Sequence, residues 1–206
     1  VGILCFSIWS QGWRYLTSKG TPIRIPDDLR GRKLRILNSD EIKEYFTSIG
    51  AEIVQIYYNN IREALASNII ECQENPYVNI LAMKFYSYQE FITELEMFYS
   101  LEALCVSQSS WQKLDEQKRR LLRDVIREGS EWMLQTQKEQ NLWAKQELVK
   151  KGMKIIELTE EEKRLWRESV SPVYEHTKYK DFLKRIYDAE FQYRKHGSNF
   201  SDDFIF

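Results

Sequence analysis

Leu29-Arg30-Gly31-Arg32-Lys33-Leu34-Arg35-Ile36 decides how this chain is read, because it sets an arginine on a strand that should be buried. The preceding Ile25-Pro26-Asp27-Asp28-Leu29 suits a short helical turn, with Pro26 at its start and two acids beside the positive helix end. Gly31 ends that turn. Lys33 to Ile36 then alternate as a strand, which stops where Asn38-Ser39-Asp40 supplies N-caps for the next helix. Arg35 therefore needs a partner. An internal carboxylate is the commoner arrangement for an arginine out of water. The other is the carboxylate of a bound molecule, held by two parallel hydrogen bonds.

Working outward, residues 2–8 and 13–17 flank Gln11-Gly12 and read as two short strands or one bent ribbon. Asp40 to Ile49 has apolar residues at Ile42, Tyr45, Phe46 and Ile49, a helical period closed by Gly50. Ala51 to Ile56 is a further strand, Asn59 or Asn60 caps a helix through Leu65, and Ile69 to Cys72 is another strand. This β-α-β-α-β order predicts an α/β fold, a mixed sheet with helices on its faces. Beyond Asn75-Pro76 come a helical piece to Lys84 and strands at 90–93 and 101–107. One long helix is predicted from Ser110 to Lys151, with Trp132 and Trp143 as packing residues, and Gly152 ends it. A strand at 153–158, a capping box at Thr159-x-x-Glu162 opening a helix, and a last helix over 179–195 follow. The tail from 196 to 206 has no period and is expected to be mobile.

The 206 residues are 43% hydrophobic and 30% charged, a globular composition, and the net charge of -1 gives no reason to expect nucleic acid or an anionic membrane as partner. No apolar run reaches the length of a membrane span and no signal-peptide pattern opens the chain. Cys5, Cys72 and Cys105 make neither a disulfide framework nor a metal motif, although one bridge could form. His176 and His196 have no ligand spacing around them, and no nucleophile elbow, P-loop or dinucleotide glycine pattern occurs. No catalytic residue, metal or cofactor is therefore expected. Val1 to Phe6 reads as starting in mid-strand, which predicts a fragment or a processed product.

Three stretches together resemble the solute-binding proteins of tripartite ATP-independent periplasmic (TRAP) transporters. They are Pro26 to Ile36, Ala64-Leu65 with Glu71-Cys72-Gln73-Glu74-Asn75-Pro76, and Lys84-Phe85-Tyr86-Ser87-Tyr88-Gln89. The resemblance implies a lobe like that of the type II periplasmic binding proteins followed by long C-terminal helices, an incomplete version of a two-lobed fold. Residues 1–12 would be the remnant of an inter-lobe strand, 13–100 the second α/β lobe, 101–150 a crossing strand and long helix facing an absent first lobe, and 151–195 a returning strand and helices. It further implies that Arg35 clamps a carboxylate, that Asn75 contacts the bound acid, and that Tyr58 packs on it. Tyr99 and Ser100 are weaker candidates. Read from residues alone, Asn75 could equally be a helix cap before Pro76, and Tyr58 a packing residue. Thr21 stands where the family commonly has a second basic residue, which puts a second carboxylate contact in doubt. The implied role is extracytoplasmic capture of a small organic acid and its delivery to membrane subunits of a TRAP transporter, by a periplasmic monomer that is not an enzyme. This chain alone would bind weakly or not at all. The rival reading is a helical protein-interaction module over 110–195.

Overall fold

Alternating and clustered apolar residues on either side of Gly12 build one strand, not two: β1 spans Ile3–Ser18. The bend comes at a register shift between Ser10 and Gly12. Gly12 has φ +90°, a conformation strained for any residue with a Cβ, and a Cβ there would also push the Gln137 side chain aside, its Nε2 lying 2.7 Å away. A computed structural model of the chain describes residues 2–196. The tail read as mobile thus lies outside the described residues, apart from its first residue, His196, which closes the last helix.

Six strands form one sheet in the order β3-β2-β4-β1-β5-β6. Its longest strands are β1 and β5 (Phe91–Ser107), antiparallel over their whole length. The two separate strands expected at 90–93 and 101–107 are continuous through Glu94 to Ser100. The acids at Glu94 and Glu96 hide that continuity in the sequence; Glu96 takes up φ 51° where β5 carries extra residues against Arg14 to Leu16. Strand β2 (Lys33–Arg35) runs parallel to β4 (Cys72–Asn75) on one side and to β3 (Glu52–Ile53) on the other, while β4 is antiparallel to β1. Strand β6 (Lys154–Ile156) is parallel to β5.

The crossovers are helical. Helix α1 (Asp40–Ser48) links β2 to β3, and its N-cap Ser39 accepts from the Ile42 N–H as expected. Helix α2 (Ile61–Ala66) links β3 to β4. The last strand of that unit falls three residues later than its apolar content suggests: Ile69-Ile70 leads into β4, which is made of polar residues that are nevertheless buried. Helix α3 (Tyr77–Ala82) follows. The single long helix expected from Ser110 divides into α4 (Gln108–Gln112) and α5 (Glu116–Lys150), because the Asp115 carboxylate accepts the Lys118 N–H at 2.9 Å and starts α5 afresh. Helices α6 (Glu160–His176) and α7 (Lys180–His196) complete the chain.

Two cores cover the two faces of the sheet. Tyr15, Ile61, Leu65, Ile80, Phe85, Ile92 and Leu148 pack on one side, under α2, α3 and the end of α5. Leu16, Ile23, Leu34, Tyr45, Phe46 and Trp166 pack on the other, under α1 and α6. Nearer the start of α5, Leu121, Val125, Trp132 and Leu134 are exposed. Helix α6 is held at its start by the capping box: Thr159 Oγ1 accepts from the Glu162 N–H at 3.3 Å and the Glu162 carboxylate accepts from the Thr159 N–H at 2.7 Å. The same carboxylate receives Arg24 through Nε at 2.5 Å and Nη2 at 3.0 Å.

Arg24 first, and then the Thr159 amide, draw the Glu162 carboxyl down to about 2 from its ordinary 4.5. A depressed acid stabilises the fold fully above its unfolded value and loses that contribution as pH falls through the folded one, so the window lies between about 4.5 and 2. Glu162→Gln should therefore flatten the fall in thermal midpoint between pH 5 and pH 2.5, measured by circular dichroism. An unchanged slope would mean that Glu162 is not the group responsible.

Candidate functional site

In an open sheet with parallel strands, ligands lie beyond the carboxyl ends of those strands. Here β2 ends at Arg35 and β4 ends at Asn75, two neighbouring strands running the same way. Strand β1 passes antiparallel beside them with Tyr15 opposite Asn75, which brings Arg14 to the same edge. The two arginines and Asn75 are each no more than 6% exposed.

Arg35 donates from Nε to the Ile56 carbonyl at 3.2 Å. Among the described residues it makes no ion pair and its two terminal nitrogens find no acceptor, so the internal salt bridge is not what this strand contains. Glu74, the carboxylate whose charge acts on Arg35, is engaged elsewhere. It accepts from Arg14 Nε and from the Leu37 backbone N–H at 2.6 Å. Burial pulls the Arg35 guanidinium below its ordinary range, Glu74 opposes that, and Arg14 adds to it. Arginine stays charged nonetheless, so the site carries a cation whose terminal donors are unspent.

Arg14 is the residue that reading the sequence missed. Its Nη2 donates to the Glu74 carbonyl at 2.8 Å and to Asn75 Oδ1 at 3.2 Å, and Nη1 lies 3.5 Å from Ser100 Oγ. The signal was present in Trp13-Arg14-Tyr15, a lone charge between aromatics on an apolar strand, the same pattern that singled out Arg35. Asn75 is not a helix cap: Pro76 holds that position, and no side chain caps α3. The Asn75 amide instead donates to Gln73 Oε1 and accepts from Asn79 Nδ2 at 3.3 Å. Gln73 Nε2 donates to Thr17 Oγ1 at 2.8 Å, and Thr17 donates to Gln89 Oε1 at 2.8 Å. A buried polar chain thus fixes Asn75 from behind.

Tyr58 lies on the turn before α2, partly exposed, with its phenol pushed up by desolvation while the charges of Arg14 and Arg35 oppose the shift. It therefore stands near both guanidiniums as a neutral hydroxyl. Thr21 is elsewhere. It lies beyond Ser18, which pairs with the first residue of β4, and its carbonyl accepts from Arg32 Nη1 at 3.1 Å, at the opposite end of the strands from Arg35. The threonine therefore removes no charge from this edge, where Arg14 already provides a second one. Tyr99 pairs with Trp13 edge-to-face at 5.1 Å and accepts from Ser10 Oγ at 2.7 Å. Its neighbour Phe98 pairs with Arg14, so Tyr99 points from the other face of the ribbon and does not join the arginines. Among the described residues no three His, Cys, Asp or Glu side chains converge to hold a metal, and no helix is long and apolar enough to cross a membrane.

The family model described as bacterial extracellular solute-binding protein, family 7, matches residues 1–181. The chain belongs to this family. Family 7 proteins are the solute-binding components of TRAP transporters, and the chain is 33% identical over 124 residues to the C4-dicarboxylate-binding protein DctB of Bacillus subtilis. That alignment spans 60% of this chain and 35% of DctB. A TRAP periplasmic solute binding protein from Shewanella oneidensis, solved with bound succinate, superposes with a TM-score of 0.82 at 26% identity, covering 87% of this chain and 58% of that one. One from Chromohalobacter salexigens, solved with bound D-glucuronate, gives 0.84 at 24% identity over 91% and 64%, and shows the shared fold alone. The chain thus spans less than two thirds of each of these family 7 proteins and carries the α/β architecture over that part.

Because Arg14 and Glu74 are both buried, removing one leaves the other as an uncompensated charge. Glu74→Ala should lower unfolding free energy by about 3–5 kcal/mol in urea titrations, while Arg14→Met with Glu74→Leu should recover part of it. A Glu74→Ala protein as stable as the parent would show that water reaches the pair.

Proposed function

We propose that this chain carries the arginine side of a cleft that captures a small organic acid outside the cytoplasm and passes it to the membrane subunits of a TRAP transporter. The observation that supports this is Arg35: buried at the carboxyl end of β2, unpaired among the described residues, with both terminal nitrogens lacking a protein acceptor. A carboxylate would satisfy those donors by a charge-assisted fork and restore the charge balance that burial disturbs. Succinate, D-glucuronate and the C4-dicarboxylates named for the relatives all bear that group.

The other roles follow from the same edge. Asn75, held by Gln73 and Asn79, adds a hydrogen bond of fixed direction. Tyr58 forms the wall beside the two arginines. Arg14 is largely neutralised by Glu74 and orients Asn75, keeping Nη1 toward Ser100 for a second polar contact on the ligand. In this reading residues 13–100 are the ligand-facing lobe and 101–150 the part that crosses to a partner lobe. One wall of a cleft immobilises a ligand poorly, because the contacts that exclude water are made only when both walls meet. Weak binding is therefore the expectation for residues 1–206 by themselves.

The test is a titration of isotope-labelled residues 1–206 with succinate and with D-glucuronate at pH 7, followed by amide chemical shifts. Saturation only at millimolar acid, with the shifts concentrated at Arg35, Asn75 and Tyr58, is the expected outcome. Arg35→Ala should weaken it at least about tenfold, and Arg35→Lys should not restore it, since lysine offers no planar fork. Submicromolar binding would overturn the one-walled cleft, and binding unchanged in Arg35→Ala would overturn the clamp. Shifts with neither acid, together with association through the exposed residues of α5, would favour the interaction-module reading.

A further inference from the structure

Of the three cysteines, Cys72 is buried in β4 and its thiol is pushed up to about 12, first by desolvation. It is chemically quiet. Cys5 and Cys105 are placed differently. Both are exposed, and they stand directly opposite each other on the paired strands β1 and β5.

The register of that pairing decides what the two sulfurs can do. Ile3 pairs with Ser107, Leu4 with Val106 and Cys5 with Cys105, and the Gln108 N–H donates to the Gly2 carbonyl at 2.8 Å. Antiparallel pairs alternate between hydrogen-bonded and non-hydrogen-bonded kinds, so a bond from 108 to 2 makes 3/107 and 5/105 the non-hydrogen-bonded ones. There the Cα atoms approach to about 4.5 Å, within the span a disulfide bridges. The ribbon is irregular at this point: a register shift separates Cys5 from Ser7, with Phe6 as the additional residue, and Cys5 Sγ reaches the Ser7 carbonyl at 3.6 Å. The two thiols already interact, Cys105 being raised by slight desolvation first and then by Cys5 beside it.

We propose that Cys5 and Cys105 form a reversible redox site, a vicinal dithiol that closes to a cross-strand disulfide when a low-molecular-weight disulfide such as oxidised glutathione is present. One thiol loses its proton and its thiolate attacks a sulfur of glutathione disulfide, forming a protein–glutathione mixed disulfide and expelling one glutathione thiolate. The second cysteine, deprotonated in turn, attacks the protein-side sulfur of that bond and expels the second glutathione. The protein gives up two electrons and two protons, and one glutathione disulfide becomes two glutathiones. Exposure and the geometry of a twisted ribbon place the bond among the labile disulfides rather than the inert structural ones. Outside the cytoplasm, where the family operates, disulfides persist, so the closed form is compatible with that setting. The closed form would clip the two long strands together next to the Cys5/Ser7 irregularity and link residues 5 and 105 across the whole intervening lobe.

The experiment uses residues 1–206, fully reduced, then equilibrated anaerobically with glutathione buffers of rising oxidised fraction, acid-quenched and alkylated under denaturing conditions. Free thiols should fall from three to one, with peptide mapping joining the segments that contain Cys5 and Cys105, and dithiothreitol should restore all three. Cys105→Ser should instead accumulate a glutathione adduct on Cys5, and Cys72→Ser should behave as the parent does. The proposal is overturned if Cys5 and Cys105 both remain alkylatable, if the bridge joins two chains, or if Cys72 is a partner.

Discussion

Strand β4 puts Gln73, Glu74 and Asn75 in the middle of a sheet where none reaches water, and the surrounding structure answers to the need to satisfy them. Glu74 requires a cation and an amide, which it finds in Arg14 from β1 and the Leu37 N–H after β2. Gln73 requires Thr17, and Thr17 requires Gln89, so the neighbouring strand and the turn before β5 are tied to the same row. With Glu74 consumed in this way, Arg35 is left without an anion of its own. That Arg35 keeps its terminal donors free among the described residues thus follows from how β4 settles its internal demands.

Such a row does little for stability in itself. Two charges taken out of water cost several kcal/mol each, and their attraction repays that only with good geometry and additional hydrogen bonds. An apolar strand would pack at least as well between the two cores. What the polar row provides is direction: Asn75 is held by Gln73 and Asn79, Arg14 by Glu74, and each can offer its remaining donor at one angle only. Placing these groups on strands rather than on loops keeps that angle fixed against the fluctuations of the surface.

The elements most legible in the sequence were those whose local chemistry agrees with their burial. The turn before β2, the Ser39 cap of α1, the glycine stop at Gly50 and the Thr159–Glu162 box all carry their own signals, and each is where the residues imply. Strand β4 was displaced because Ile69-Ile70 outweighs Cys72-Gln73-Glu74-Asn75 on any apolar scale, while the actual strand is buried through tertiary hydrogen bonds that no local window contains. The continuity of β5 was hidden for the converse reason, since Glu94 finds its partners, Tyr77 and Lys145, on distant helices. Arg35 and Asn75 emerged as neighbours because a motif joined them, whereas Tyr99 sits on the far face because strand parity, invisible without the register, turns it away.

Helix α5 is 35 residues long, roughly 50 Å at the α-helical rise, and it is fastened along the β1–β5 ribbon rather than only at its ends. Ser130 receives Trp9 Nε1 at 2.9 Å and shares a 2.6 Å hydrogen bond with Ser7, Asn141 donates to the Gln11 carbonyl at 2.9 Å, and Ala144 and Leu148 are sunk in the core. Two strands and a helix are thereby joined along their length, and the ribbon bends where its register shifts, at Ser10/Gly12 and Arg14/Leu16. Those shifts bracket Arg14. Because the Arg14 guanidinium is tied to Glu74 on the next strand, its position is set across the sheet rather than by the local course of the irregular ribbon that carries it.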